Sequence, residues 1–213
     1  MSEKIKLNIC KQSLKYVHKE GWTNRILVKA ANDLGFPDVT SQILKNGVFD
    51  VINYLTIKSH DIAIDKILKN QKKLCPKEIL KYGILTKMKV LRPYSHRWQE
   101  AMLIGAKLDN LETTKSAIKK FSDDLWHVIG DDSTDLMWYF KRMALSLITS
   151  STEIYQTTDL SENYEQTDKF LDSKLEDLDK LIIAPYFAKE VLKFGRIFSK
   201  NIFNEIREDL KKL

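Results

Sequence analysis

The sequence predicts an all-α fold, and three observations carry that expectation. Gly and Pro number only 7 and 4 among 213 residues, which leaves little turn chemistry for a many-stranded sheet. Lys, Leu and Ile are the commonest residues of the chain, and its apolar residues recur at helical spacing. Gly21, Pro76, Pro93 and Gly130 fall where helices start or stop.

A first helix is expected from Glu3 to Lys19, with Ile5, Ile9, Leu14 and Val17 inward and Gly21 as its C-terminal stop. Thr23 reads as the N-cap of a short second helix carrying Ile26, Leu27, Ala30 and Ala31. Leu34 to Pro37 is a turn, and Asp38 or Thr40 opens a third helix, which together outline a helix-turn-helix. A long helix runs from Val48 to Asn70, with Phe49, Val51, Ile52, Leu55 and Ile62 apolar. Pro76 suits the first position of the next helix, which ends before Pro93. Helices follow over His96–Lys107 and Leu111–Ile129, the second closed by Gly130. Asp132, Ser133 and Thr134 cap a helix to about Tyr155, an acidic stretch carries another helix to Ile183, and Pro185 opens a final one.

Composition narrows the partners. The chain is 43% hydrophobic and 30% charged with a net charge of +6, a balance compatible with nucleic acid or an anionic membrane. Charges from Lys66 to Arg97 are almost all basic, and those from Glu153 to Asp179 are mostly acidic, as expected of two solvated helix faces. No uncharged run reaches the roughly 18 residues of a spanning helix. The N-terminus has neither the apolar run of a secretory signal nor the character of a transit peptide. Cys10 and Cys75 have no paired spacing, which fits a reducing compartment and specifies no zinc site.

Three constellations stand out. On the last helix, Phe187, Val191, Phe194, Phe198 and Ile202 share one sector, with Lys189, Lys193, Arg196, Lys200 and Arg207 opposite. A Phe-rich stripe backed by cations suits a helix lying in a lipid headgroup layer, although an ordinary docked helix is also amphipathic. On the helix beginning near Ser133, the residues Leu136, Phe140, Met143, Ala144 and Leu147 form the expected core face. Asp135, Trp138 and Arg142 then project away with Tyr139 at the edge, the residue types of interface hot spots; a helix buried on all sides is the alternative. Finally, Asp124 and His127 stand three apart, but the sequence has no Glu-x-x-His, so the ligand set of a carboxylate di-iron site is missing. No phosphate loop, nucleophile elbow or His-Glu-x-x-His appears, and no enzyme activity is expected.

The run from Ser122 through Asp124, Trp126, His127, Gly130, Asp131, Ser133, Thr134, Asp135, Trp138 and Tyr139 to Arg142 resembles the signature of the ubiquinone-biosynthesis accessory family, Coq-nine. Leu91 to Trp98, Gly21-Trp22-Thr23, Ala30-Ala31 and Leu34-Gly35 resemble further motifs of that family. The resemblance implies a homodimeric, TetR-regulator-like bundle: a vestigial helix-turn-helix head over 1–47, a helical lipid-binding domain over 48–183 and a C-terminal amphipathic membrane helix over 184–213. It implies no cofactor, an isoprenoid or quinone lipid as ligand, and a patch that docks the di-iron demethoxyubiquinone hydroxylase, Coq-seven. That patch falls on Asp123, Leu125, Asp135, Trp138, Tyr139 and Arg142. Leu85, Met88, Leu103, Met143, Leu147 and Ile148 are candidate lipid-lining residues or core. The implied location is peripheral on an inner membrane, on the bacterial cytoplasmic or the mitochondrial matrix side.

The rival expectation is a TetR-type transcription regulator. Its recognition segment would be Asp38 to Gly47, which carries one Lys and begins with an acid. That is a poor electrostatic footprint for DNA.

Overall fold

Between Gly21 and Gly130, two glycines with positive φ (69° and 81°), the chain folds into a succession of packed helices. The structure is a computed structural model and describes residues 2–70 and 74–183. Among the described residues it is all-helical, with α-helices α1 (Ser2–Ser13), α2 (Val17–Glu20), α3 (Arg25–Asp33), α4 (Val48–Asn70), α5 (Pro76–Leu91), α6 (Ser95–Gly105), α7 (Leu108–Ile129), α8 (Asp135–Thr158) and α9 (Glu165–Ile183). The final helix expected from Pro185, with its Phe187-to-Ile202 stripe, lies outside the described residues.

Two expectations about the N-terminal region are corrected. The first helix breaks after Ser13, whose hydroxyl donates to the Ile9 carbonyl at 2.8 Å and competes with the backbone ladder. The third helix is a six-residue 3-10 turn, Asp38–Ile43, with no buried residue and no basic one. Pro37 before it and Gly47 after it leave room for little more. The long α4 and the Pro-initiated α5 run as expected. Glu78 accepts a bond from the Cys75 backbone amide at 2.8 Å, closing the start of α5.

Two apolar cores follow. The first joins Ile9, Val17, Ile26, Ala30 and Ala31 of the head to Phe49, Ile52 and Leu55 of α4 and to Leu91 and Trp98. The second gathers Ala63, Ile67, Ile84, Met88, Phe121, Leu125, Leu145, Leu171 and Leu175. The division between them falls within α4, which gives its first half to one core and its second half to the other.

The two opposite charge runs meet. Lys77 pairs with Asp179 at 3.4 Å, Lys81 with Asp172 at 2.7 Å and Arg92 with Asp168 at 3.2 Å, an antiparallel seam between α5 and α9 with Arg92 just beyond α5. Such half-exposed pairs each contribute about 0–1 kcal/mol, so they set register more than stability. Deeper in, Lys87 pairs with Glu153, and Trp98 donates to the same carboxylate at 3.2 Å. Burial pulls the Lys87 ammonium down to about 7. Its Nζ also lies 5.4 Å from the Phe121 ring centroid, a second electrostatic support for the cation.

Candidate docking site on α7 and α8

The turn between α7 and α8 is built around one carboxylate. Gly130 takes the left-handed conformation that ends α7 and lets Asp131 fold back under α8. Asp131 Oδ1 accepts from Lys141 Nζ at 2.5 Å; its Oδ2 accepts from Arg142 Nη1 at 2.9 Å and Ser133 Oγ at 2.6 Å. Burial works to raise the Asp131 pKa, but the bonds from Lys141, Ser133 and Arg142 outweigh it and hold the carboxyl at about 2. It is therefore a fixed negative charge at neutral pH. Nothing in the sequence beyond its place after a capping glycine marked Asp131 as this hub.

Arg142 ties the hub to the surface. Its Nε donates to Asp123 Oδ1 at 2.5 Å, and its guanidinium lies 4.1 Å from the Trp138 ring centroid. Trp138 in turn meets Tyr139 edge to face at 4.8 Å. Lys141 lies over the Trp126 ring at 5.2 Å, and Trp126 Nε1 donates to the Lys141 carbonyl at 3.1 Å. Three acid–base pairs and the contact of Lys141 with the Trp126 ring thus lock the first turns of α8 onto the end of α7 and the turn after it.

The faces of α8 depart from the sequence expectation, although Ala144 packs against the second core as expected. Arg142, only 6% exposed, shares the inward stripe with Leu145, Thr149, Thr152, Glu153 and Gln156. Met143 and Leu147, expected in the core, are 59% and 64% exposed and continue an outward stripe from Tyr139 to Ile154. The inward face is polar because its partners are polar groups of other helices: Arg142 meets Asp123 and Asp131, Glu153 meets Lys87 and Trp98, and Gln156 donates to the Met88 carbonyl at 3.4 Å. Apolar residues are left outside, and an outward apolar stripe marks an interaction surface more strongly than scattered exposed residues do.

The expected patch residues therefore divide by place. Tyr139 is exposed and Trp138 half-buried, while Asp123 and Arg142 form the support beneath them. Leu125 is 0% exposed and belongs to the second core; a Cβ on Gly83 would meet its Cδ2 at 2.6 Å. The Asp135 side chain is outside the described set. The six candidate lipid-lining residues do not converge on one cavity. Met88 sits in the second core, Leu85 and Ile148 pack half-buried against it, and Leu103, Met143 and Leu147 stand exposed.

Other features bound the chemistry. No helix among the described residues is long and apolar enough to cross a membrane. Among the same residues no group of three or more His, Cys, Asp or Glu side chains is placed to hold a metal ion.

Comparison with known proteins locates the same region. Residues 111–182 match the COQ9 family, a span that holds nearly all of α7, the Asp131 turn, α8 and nearly all of α9. The chain is 30% identical over 186 residues to the probable ubiquinone biosynthesis protein coq9, mitochondrial, of Dictyostelium discoideum, covering 84% of this chain and 61% of that protein. It is 26% identical over 203 residues to the ubiquinone biosynthesis protein COQ9, mitochondrial, of Homo sapiens, covering 91% and 62%. With the Rattus norvegicus protein of the same name the figures are 27% over 202 residues, 91% and 64%. The chain thus spans just over three fifths of the length of these curated relatives. On the α7–α8 motif, the family match and these relatives together, the chain is similar to the COQ9 family along most of its length.

Proposed function

We propose that the chain acts in ubiquinone biosynthesis as a membrane-associated, lipid-binding accessory protein that presents a polyprenyl quinone intermediate to the di-iron demethoxyubiquinone hydroxylase. The observation that carries this reading is the surface at the start of α8, where half-buried Trp138 lies between the Arg142 guanidinium and the ring of exposed Tyr139, which continues into exposed Met143 and Leu147. Rigid aromatic anchors beside apolar surface are what a protein partner engages, and preorganisation lowers the entropy lost on binding.

The lipid half of the reading rests on chemistry. A polyprenyl tail is held out of water by about 0.8 kcal/mol for each buried methylene, so a hydroxylase acting on its head group gains from a carrier that stays at the membrane. The Phe187-to-Ile202 stripe and the cations opposite it suit that attachment. A homodimer, peripheral on an inner membrane, is the assembly this reading takes. The relatives' mitochondrial names favour the matrix side.

Mass spectrometry of lipids co-purifying with the full chain, alongside liposome flotation with and without residues 184–213, tests the carrier half. A retained isoprenoid or quinone, with flotation lost on truncation, is the expected result. An empty protein that ignores liposomes would overturn it.

A further inference from the structure

The positive charge of the chain is gathered at its ends. Residues 1–47 carry eight Lys and Arg against four Asp and Glu, and residues 184–213 carry seven against four, whereas residues 48–183 carry twenty against twenty-one. Within the head the excess lies on α1 and α2. Lys4, Leu7 and Lys11 stand at the spacing of one helix face and are exposed, while Ile9 and Cys10 of the same helix enter the first core. Lys15 and Lys19, also exposed, carry the run across the break after Ser13.

The acids beside these lysines are engaged elsewhere. Glu3 pairs with Lys6 at 2.9 Å and Glu20 with Lys29 at 2.5 Å. Asp33, which acts on Lys15 at longer range, accepts from Tyr16 and Gln12, each at 2.5 Å. None of Lys4, Lys11, Lys15 and Lys19 makes an ion pair with a described residue. Four uncompensated ammonium groups on one flank set up a positive potential that attracts a polyanion. Two further observations choose the polyanion. Leu7 is 53% exposed between Lys4 and Lys11, and an apolar side chain there gains from an acyl boundary and nothing from a sugar-phosphate backbone. The turn Asp38–Ile43, where a DNA-reading helix would lie, has no basic residue.

We propose that the exposed flank of α1 and α2 rests on an anionic phospholipid surface, with Leu7 at the acyl boundary and Lys4, Lys11, Lys15 and Lys19 at the headgroup phosphates. The proposal rests on the membrane reading above and adds a second point of attachment to it. Each lysine near such a surface strengthens binding about fivefold. The contact is too weak to anchor the chain alone, so flotation still depends on residues 184–213. Position makes the two attachments complementary. The head packs on the first half of α4, and the Lys77–Asp179 pair places the end of α9 beside the start of α5, at the other end of that helix. The 23 residues of α4 span about 35 Å, so attachment at both ends lays the bundle lengthwise along the bilayer.

The test is titration of the full chain with vesicles of phosphatidylcholine alone and of phosphatidylcholine mixed with phosphatidylglycerol, at low and at high salt. Lys11→Glu with Lys15→Glu reverses the flank, and Lys115→Glu with Lys119→Glu, both exposed on α7, makes the same charge change elsewhere. Wild-type binding is expected to be tighter on the anionic vesicles. The head variant is expected to lose about thirtyfold there, a difference that closes at high salt, and the α7 variant no more than about threefold. Leu7→Trp is expected to lose emission on anionic vesicles whose acyl chains are brominated. Unchanged anionic binding in the head variant, equal losses in the two variants, or an unquenched Leu7→Trp would overturn the proposal. A head variant that loses duplex-DNA binding while keeping vesicle binding would assign the flank to nucleic acid and overturn it too. Wild-type protein that binds neither kind of vesicle would sink the membrane reading itself, whereas vesicle binding that the head variant fully shares sinks this proposal alone.

Discussion

Arg142 lies over the Trp138 ring, 4.1 Å from its centroid, while its Nε and Nη1 reach Asp123 and Asp131 on the far side. The guanidinium is thus both a buried structural cation and the base on which the Trp138–Tyr139 aromatic pair rests. A planar fork serves two carboxylates and a ring face at once, which an ammonium on a flexible stem does not. Arg142→Lys is expected to behave almost as badly as Arg142→Ala, each costing about 3 kcal/mol because buried carboxylate contacts are lost. Urea unfolding of the two variants checks this, and recovery of wild-type stability by Lys would contradict it.

Leu125 and Trp138 separate folding from docking. Leu125 is part of the second core, so Leu125→Ala is expected to cost about 3 kcal/mol while the folded protein still binds its partner. Trp138→Ala should do the reverse, weakening partner binding with a smaller loss of thermal stability. Thermal unfolding and binding measured on both variants check the pattern.

Acid should unfold the protein in two windows. The His60 pKa is about 2 in the fold against 6.5 ordinarily. Below about pH 6.5 the unfolded chain therefore takes a proton that the folded one refuses, and stability falls by up to about 1.4 kcal/mol per pH unit. His60→Phe should flatten that slope between about pH 6.5 and 4. Asp131 is about 2 against 3.8, so its contribution of roughly 2 kcal/mol is complete above about pH 4 and fades as pH falls toward 2. Asp131→Asn should shrink this second, lower window, of which Asp159, also held at about 2 against burial by its bonds to Ser161 and Thr167, keeps a share. Urea midpoints measured from about pH 7 to about pH 2 resolve the two.

Much of the helix order was legible because local chemistry marks it. Val48 to Asn70 shows the right period without interruption, and Pro76 and Gly130 sit where a first helical residue and a left-handed stop are needed. The orientation of α8 was not legible. Tyr139, Met143, Leu147 and Ile154 lie on the outward face, and the partners that make Arg142, Glu153 and Gln156 inward-facing come from α5, α6 and α7 and the turn after it, between 11 and 68 residues away. Periodicity identifies which residues share a face, but not which face meets the interior when both carry apolar side chains. Similarly, the opposed charge runs were visible, but their pairing across α5 and α9 depends on tertiary register.

The buried Lys87–Glu153 pair should show strong coupling. Lys87→Met alone leaves a buried carboxylate, and Glu153→Leu alone leaves a buried ammonium; each is expected to cost about 3–5 kcal/mol. The double variant should be more stable than either single one. A double-mutant cycle in urea measures this, and additive losses would contradict the pairing.

The most direct test of the docking claim is the affinity of the full chain for purified demethoxyubiquinone hydroxylase, measured for wild type and for the Trp138→Ala, Tyr139→Ala double variant with liposome binding in parallel. The double variant is expected to lose about 2 kcal/mol or more of binding, about thirtyfold, while its helicity and its liposome binding stay at wild-type levels. Undiminished hydroxylase binding by a folded double variant would contradict it.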